Sequence, residues 1–213
     1  MSSLRITEIF HSLQGEARDV GRPTVFVRLS GCPLRCTWCD TTYSFKGGEA
    51  LSLDAILQRV AAFDTRHVCV TGGEPLAQKG CLALLERLCD AGHTVSLETS
   101  GALDIGGVDA RVTRVMDLKT PSSGEQTRNR WENIALLRPQ DQVKFVIADE
   151  HGYRWSCEQL EAHALVDRCE VLFSPVAGRL APRELAEWIL RDRLPVRFQI
   201  QLHKYLWGEE AGR

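Results

Sequence analysis

Short apolar runs rich in β-branched residues alternate along this chain with stretches whose apolar positions recur at helical spacing. The first kind predicts strands over 25–30, 67–71, 94–99, 114–119, 142–148, 170–174 and 196–202. The second predicts helices over 53–62, 78–91, 130–137, 156–166 and 182–191. Regular alternation of the two calls for parallel strands joined by crossover helices. No helix-length period lies between Thr99 and Arg114, so one crossover helix is expected to be missing. His11-Ser12-Leu13-Gln14-Gly15-Glu16 reads as an N-terminal strand and turn, with Gly15 supplying the turn.

The chain has 213 residues, too few for the roughly 250 of a complete (β/α)₈ barrel. A partial α/β barrel of about six parallel strands, an abbreviated (β/α)₆ type with an N-terminal strand extension, fits the length. An open doubly wound sheet is the competing architecture, and it would bring a glycine-rich phosphate loop after the first strand, which the sequence lacks. Without repeats, low-complexity tracts or a Pro/Ser-rich linker, residues 1–213 are expected to form one domain. In barrels of this kind the functional groups follow the strands' C-terminal ends. Unusual polar and glycine residues do follow each apolar run here.

Composition adds limits. Hydrophobic residues make up 44% and charged residues 25%, as in ordinary globular chains. The net charge of −2 gives no reason to expect nucleic acid or an anionic membrane surface. No apolar run approaches a spanning helix, and Arg5, Glu8, His11 and Glu16 interrupt any signal-peptide core. Eight cysteines fall well below the density of a disulfide scaffold. Cys69, Cys81, Cys89, Cys157 and Cys169 are scattered through apolar stretches and read as free core residues, which places the protein in a reducing cytoplasm.

The other three thiols are clustered in Gly31-Cys32-Pro33-Leu34-Arg35-Cys36-Thr37-Trp38-Cys39-Asp40, just after the first core strand. Four thiolates would close a zinc site or fill a cubane cluster, whereas three leave one position open. The spacing alone also admits a zinc knuckle with a distant fourth ligand, or three structural thiols. The context is Val68-Cys69-Val70-Thr71-Gly72-Gly73-Glu74-Pro75, a buried strand running into a glycine turn. Its glycines allow close ligand approach, and its carbonyls and Glu74 can accept hydrogen bonds from an ammonium group.

CxxxCxxC followed about thirty residues later by GGEP resembles the radical S-adenosylmethionine (SAM) superfamily. The resemblance implies a radical SAM barrel in which Cys32, Cys36 and Cys39 hold a 4Fe–4S cluster. SAM would chelate the fourth iron and be cleaved reductively to a 5′-deoxyadenosyl radical. Gly72, Gly73 and Glu74 would hold its amino group. Leu97-Glu98-Thr99-Ser100-Gly101 resembles the family's ETSG segment, assigning Glu98 and Ser100 to SAM; Asp117, Leu118 and Lys119 end another strand and take the same role. Ser174, Pro175 and Val176 would meet adenine.

Leu13-Gln14-Gly15-Glu16 is similar to the SLQGEG segment of one branch of the superfamily, the 7-carboxy-7-deazaguanine synthases, with Ala17 replacing the second glycine. That likeness implies that Leu13, Gln14, Gly15 and Glu16 contact a pterin ring, for which glutamine has the donor and acceptor inventory. Arg28 interrupts an apolar strand, where a charge needs a partner; a salt bridge would explain it, and in the family the matching arginine receives the substrate carboxylate. Thr71 would meet substrate. Asp40-Thr41-Thr42-Tyr43 resembles CDTxYS, making Thr41 a magnesium ligand, although a hydroxyl there also suits a turn cap. Gln201-Leu202-His203-Lys204 resembles the family's Q-x-HK ending, so His203 and the terminal carboxylate of Arg213 would reach the substrate. A lone histidine in such a place is equally a structural residue.

The implied reaction converts 6-carboxy-5,6,7,8-tetrahydropterin to 7-carboxy-7-deazaguanine with loss of ammonia, a carbon–nitrogen lyase step toward queuosine. It implies a 4Fe–4S cluster, SAM and Mg²⁺ as cofactors, a flavodoxin or ferredoxin as electron donor, and a homodimer. A glycyl-radical activase, a cluster-carrying scaffold and a zinc-binding module remain as other readings of the same cysteines.

Overall fold

A computed structural model describes residues 3–208, 210 and 212. Nine strands form one mixed sheet in the order β3-β1-β2-β4-β5-β6-β7-β8-β9. β1 (Ser3–Leu13) pairs antiparallel with β2 (Pro23–Leu29) and with β3 (Glu49–Ser52). From β2 onward all neighbours are parallel: β4 (His67–Gly72), β5 (Thr94–Thr99), β6 (Thr113–Asp117), β7 (Gln142–Ile147), β8 (Glu170–Pro175) and β9 (Arg197–Phe198). The parallel run therefore has seven strands, the last only two residues long, and the sheet does not close.

Strand alternation sorts the side chains into two layers. Val25, Val27, Leu29, Val68, Val70, Val95, Leu97, Val143, Phe145 and Phe173 face the helices and form one continuous buried core with them. Phe26, Arg28, Thr71, Glu98, Asp117, Lys144 and Val146 face the inside of the curved sheet and line a cavity. Toward the strands' N-terminal ends, Val115 and Leu172 pack against Ala17 in a small separate apolar cluster. The loop after β1 thus plugs the floor of the half-barrel.

The helices follow local signals. α1 (Leu53–Ala61) is capped by the Ser52 hydroxyl, which accepts the Ala55 N–H at 3.2 Å, and buries Leu53, Ile56 and Val60 at helical spacing. α2 (Cys81–Asp90) buries Cys81, Leu84, Leu85 and Leu88. α3 (Glu150–Ala162) begins six residues before its expected start at 156, because Asp149 caps the Gly152 N–H at 2.7 Å. α4 (Pro182–Arg191) carries its proline at the first turn, where the missing N–H is harmless. The absence of a helix between β5 and β6 is as expected.

Two expectations are corrected. The helix over 130–137 is a 3₁₀ segment, Trp131–Leu136. Its Asn133 amide is drawn to the Gly101 and Leu103 carbonyls at 3.0 and 2.8 Å, and the Leu136 carbonyl accepts from the Arg114 side chain. The last strand, expected over 196–202, stops at Phe198, and α5 (Leu202–Trp207) follows. There the Leu202 N–H leaves the sheet direction and donates to the Gly15 carbonyl at 3.0 Å. No described helix is long and apolar enough to cross a membrane.

Candidate active site

One cavity of about 640 Å³ opens at the C-terminal ends of the parallel strands. It gathers Leu13, Gln14, Gly15, Glu16, Arg28, Thr71, Glu98 and His203 together with Cys32, Cys36, Cys39 and Thr41. Gly72, Gly73, Ser100, Asp117, Lys119 and Val176 also border it. Residues from opposite ends of the sequence therefore meet where the fold predicts a site.

The cysteine loop leaves β2 and is braced from below by the glycine turn after β4. Glu74 N–H donates to the Gly31 carbonyl at 2.8 Å, and Gly73 N–H to the Leu29 carbonyl at 3.2 Å. A Cβ on Gly73 would lie 2.3 Å from the Gly31 oxygen and 2.8 Å from Cys32 Cβ, so only glycine permits this approach. Gly72 has φ +153°, and a Cβ there would strike the Leu29 carbonyl at 2.2 Å. The three thiols are half-buried and unpaired by disulfides. Burial pushes the Cys32 and Cys36 thiols up, so metal coordination is what would hold them as thiolates. Among the described residues, no three His, Cys, Asp or Glu side chains gather around a single ion. In a cubane each thiolate would bond its own iron, and all three half-buried thiols border the cavity in which a three-cysteine cluster would sit.

Glu74 is placed away from the cavity lining. Its carboxylate is fully buried. It accepts Leu76 N–H at 3.0 Å, Ser100 N–H at 2.7 Å and the Thr99 hydroxyl at 3.0 Å, and it does not face the cavity. It ties the loop after β4 to the loop after β5, which leaves main-chain carbonyls as the acceptors available to an ammonium group. Leu118, Ser174 and Pro175 are buried and likewise do not border the cavity. Arg213 lies outside the described residues.

Charge is concentrated inside. Lys144, on β7, pairs with Glu16 from the loop after β1 and lies 3.4 Å from Asp117 on β6. Lys119 holds the other side of Asp117 at 2.7 Å. Burial works against the Lys144 ammonium, but Asp117, Glu16 and Glu98 hold its pKa well above the usual lysine range. For Asp117 burial is likewise outweighed, by Lys119 and Lys144, and its pKa falls. Glu98 goes the other way: burial, aided by Glu16 and Asp117, raises its pKa despite Lys144. Glu98 is bracketed by Gln14 Nε2 at 3.4 Å and the Thr71 hydroxyl at 3.3 Å, both expected to meet substrate.

Arg28 sits beside Thr71 across β2 and β4. Its Nε donates to Glu8 at 2.7 Å, the Tyr43 hydroxyl donates to the same carboxylate oxygen at 2.7 Å, and the guanidinium lies 5.7 and 5.9 Å from the Phe10 and Tyr43 ring centres. The salt bridge expected as one explanation of Arg28 therefore exists, and Nη1 and Nη2 are left to the cavity. Burial pushes the Tyr43 phenol up to about 12. Thr41 donates to Asp40 at 2.8 Å. His203 packs on Gly15, where a Cβ would lie 2.2 Å from its Nδ1.

Sequence reasoning missed Lys144 and Glu8, and it gave Tyr43 and Gln201 no role although both stand in the motifs quoted above. Lys144 carried the same signal that singled out Arg28, a lone charge in an apolar strand. Gln201 donates to Glu16 at 2.9 Å and to Asp40 at 3.3 Å, joining the loop after β1 to the cysteine loop. No local pattern in the chain marks a contact of that kind.

Known proteins resemble this chain in sequence and fold. Residues 26–119 match the model of the radical SAM superfamily. The chain is 49% identical over 211 residues to a 7-carboxy-7-deazaguanine synthase of Chlorobaculum tepidum, covering 98% of this chain and 96% of that one. It is 40% identical over 223 residues to the enzyme of that name from Koribacter versatilis, covering 98% and 99%. The fold superposes on a crystal structure of QueE from Escherichia coli with a TM-score of 0.78 at 24% identity, over 94% and 95% of the two chains. With the cysteine loop, the glycine turn and residues 13–16 brought into one cavity, and relatives matched nearly end to end, the chain belongs to the 7-carboxy-7-deazaguanine synthase family of radical SAM enzymes.

Proposed function

We propose that the chain converts 6-carboxy-5,6,7,8-tetrahydropterin to 7-carboxy-7-deazaguanine with release of ammonia, in the cytoplasm, on the route to queuosine. One observation carries this reading: the three cluster-type thiols and the Gln14, Glu16, Arg28 and Glu98 side chains border the same cavity. A 4Fe–4S cluster held by Cys32, Cys36 and Cys39, together with SAM on its open iron, would supply the 5′-deoxyadenosyl radical.

The residues of the chain then orient and exclude water. Gly72 and Gly73 present main-chain groups to the SAM amino end. Ser100, Asp117, Lys119 and Val176 form its remaining surroundings, with Leu118, Ser174 and Pro175 buried outside the cavity lining. Glu98 stands between Gln14 and Thr71, so it is better placed to accept the N–H edge of a pterin than to bind SAM. Gln14 can pair with the ring amide through one donor and one acceptor. The free Nη groups of Arg28 present a fork to the substrate carboxylate, which fixes the carbon that loses hydrogen. Thr41 can offer a hydroxyl to Mg²⁺ whose other ligands are substrate oxygens and water. His203 packs where it can cover the ring. Flavodoxin or ferredoxin as donor, a homodimer and a single domain complete the reading.

The test is anaerobic turnover with reductant, SAM and the carboxypterin, read by mass spectrometry. Formation of the deazaguanine acid supports the proposal; SAM cleavage without it would point to another radical SAM substrate. Arg28→Ala should leave iron and sulfide content intact and weaken carboxypterin binding by about 1.5–3 kcal/mol, roughly tenfold to a hundredfold in Kd. Unchanged affinity would remove the carboxylate-receptor role.

A further inference from the structure

Two ammonium groups and two carboxylates share the inner face of the sheet, and they are not evenly matched. Asp117 and Lys144 are register partners on β6 and β7, so their side chains leave the same face side by side. Asp117 Oδ2 accepts from Lys119 Nζ at 2.7 Å. Asp117 Oδ1 is buried and, among the described residues, receives no hydrogen bond, although Lys144 Nζ stands only 3.4 Å away. Lys144 donates to Glu16 Oε2 instead, while Gln201 Nε2 donates to Glu16 Oε1 at 2.9 Å. All four charged groups border the cavity. Glu16 lies among the residues that the proposed function gives to the pterin, and Asp117 and Lys119 among those it gives to SAM.

An unfilled buried acceptor beside a donor committed elsewhere is an arrangement with a second solution. A displacement of about half an ångström brings Lys144 into hydrogen-bond range of Asp117. Leaving a buried carboxylate oxygen unbonded costs free energy, so that displacement is favoured once something else satisfies Glu16. The N–H groups of a pterin are donors of that kind. An Asp117 that holds Lys144 needs Lys119 less. The Lys119 ammonium, which has three donors, is then free to turn to a carboxylate in the SAM half of the cavity.

We propose that Lys144 is a positioning residue that couples the two halves of the cavity: a pterin donating to Glu16 moves the Lys144 ammonium toward Asp117, and this releases Lys119 to the amino-acid end of SAM. The inference rests on the proposed function and deepens it. Lys144 acts through Glu16 and Asp117 and touches no reacting atom. The coupling is reciprocal, because the factor by which the pterin tightens SAM is the factor by which SAM tightens the pterin. It needs no rearrangement of the backbone, since the three moving groups already stand within one ion-pair chain.

The experiment uses the protein loaded with iron and sulfide, kept anaerobic and without reductant so that SAM is not consumed. The SAM Kd is measured with and without saturating 6-carboxy-5,6,7,8-tetrahydropterin, and the pterin Kd with and without saturating SAM. The readout is the ratio of the paired constants, which a loss of either affinity alone does not move. In the native protein each ligand should lower the Kd of the other by about fivefold or more. Lys144→Met should bring that ratio to about one, with Gln201 still holding Glu16 and Lys119 still holding Asp117. Asp117→Asn removes the second acceptor charge and should lower the ratio as well, and it decides the matter if Lys144→Met fails to take up iron. A ratio at or below one in the native protein, or a native ratio in either cluster-loaded variant, would overturn the proposal. Native protein that binds SAM and not the carboxypterin would sink the proposed function itself, whereas binding of both without coupling sinks only the role of Lys144.

Discussion

Glu98 is the residue at which the interior charge network leaves its imprint on stability. Its pKa is raised in the folded chain, so the native state binds a proton that the unfolded state releases near its ordinary value. Stability then falls as pH rises from that unfolded value through the raised one, and the penalty is fully present above it. Glu98→Gln should remove this fall: urea melts of the cluster-free protein should show a gain at neutral pH that vanishes toward pH 4.5, the ordinary value for a glutamate. Asp117 has the opposite sign. Its lowered pKa contributes stability above about pH 4, lost as pH falls through the folded value. A pH-independent effect of Glu98→Gln would contradict the burial account. At this scale the sequence was informative where a residue type clashed with its setting. Arg28 in an apolar strand, the paired glycines before Glu74 and the spaced thiols all announced themselves. The inward aim of the Glu74 carboxylate did not, because it depends on Thr99 and Ser100 arriving from the next strand.

Between β5 and β7 the element scale is governed by what is missing. Two successive connections lack an α-helix, and the outer side of β6 is covered by loop and 3₁₀ turns. Arg114 and Asp141 fill that place. The Arg114 Nε donates to Asp141 at 2.9 Å, the Arg114 and Arg138 N–H groups donate to the same carboxylate at 2.9 and 2.8 Å, and Arg114 Nη2 reaches the Leu136 carbonyl at 2.7 Å. Both side chains are almost wholly buried. Asp141→Ala would strand a buried guanidinium and two main-chain donors, and should destabilise by about 3–5 kcal/mol in urea unfolding. Asp141→Asn should be milder because it retains an acceptor, and equal losses in both variants would argue against the ion pair as the brace. The parallel strands from β2 to β8 were legible, since β-branched runs are bounded by turn residues, whereas β3 and most of β1 were not. The 3₁₀ segment was not: its apolar spacing resembles a helix, and only the pull of Asn133 and Arg114 on its carbonyls decides otherwise.

For the molecule as a whole, the open sheet is completed by side chains and not by a strand. The Gln199 side chain accepts the Ala17 N–H at 2.8 Å, Gln201 bridges Glu16 and Asp40, and the Leu202 N–H reaches Gly15. These few bonds form the cavity wall between the loop after β1 and α5. Replacing Gln199 and Gln201 together by Ala should cost about 1–3 kcal/mol. The loss should fall on local opening: amide exchange at Leu202 should accelerate while the core strands keep their protection. Uniform acceleration across β4 to β7 would show that the seam belongs to the global unit instead. The open half-barrel could be anticipated from chain length, but this seam could not, since nothing local in a Gln-x-Gln pair names its partner.

Ala17 and Gln199 are separated by 182 positions, and a contact that distant forms only after the intervening loop has been closed. The glycine brace of the thiol-bearing loop joins β2 to β4, as in the Gly73 N–H bond to the Leu29 carbonyl, and closes a much shorter span. On loop-closure cost alone the shorter span is expected to close first, so a nascent chain should assemble the glycine brace ahead of the wall around the heterocycle.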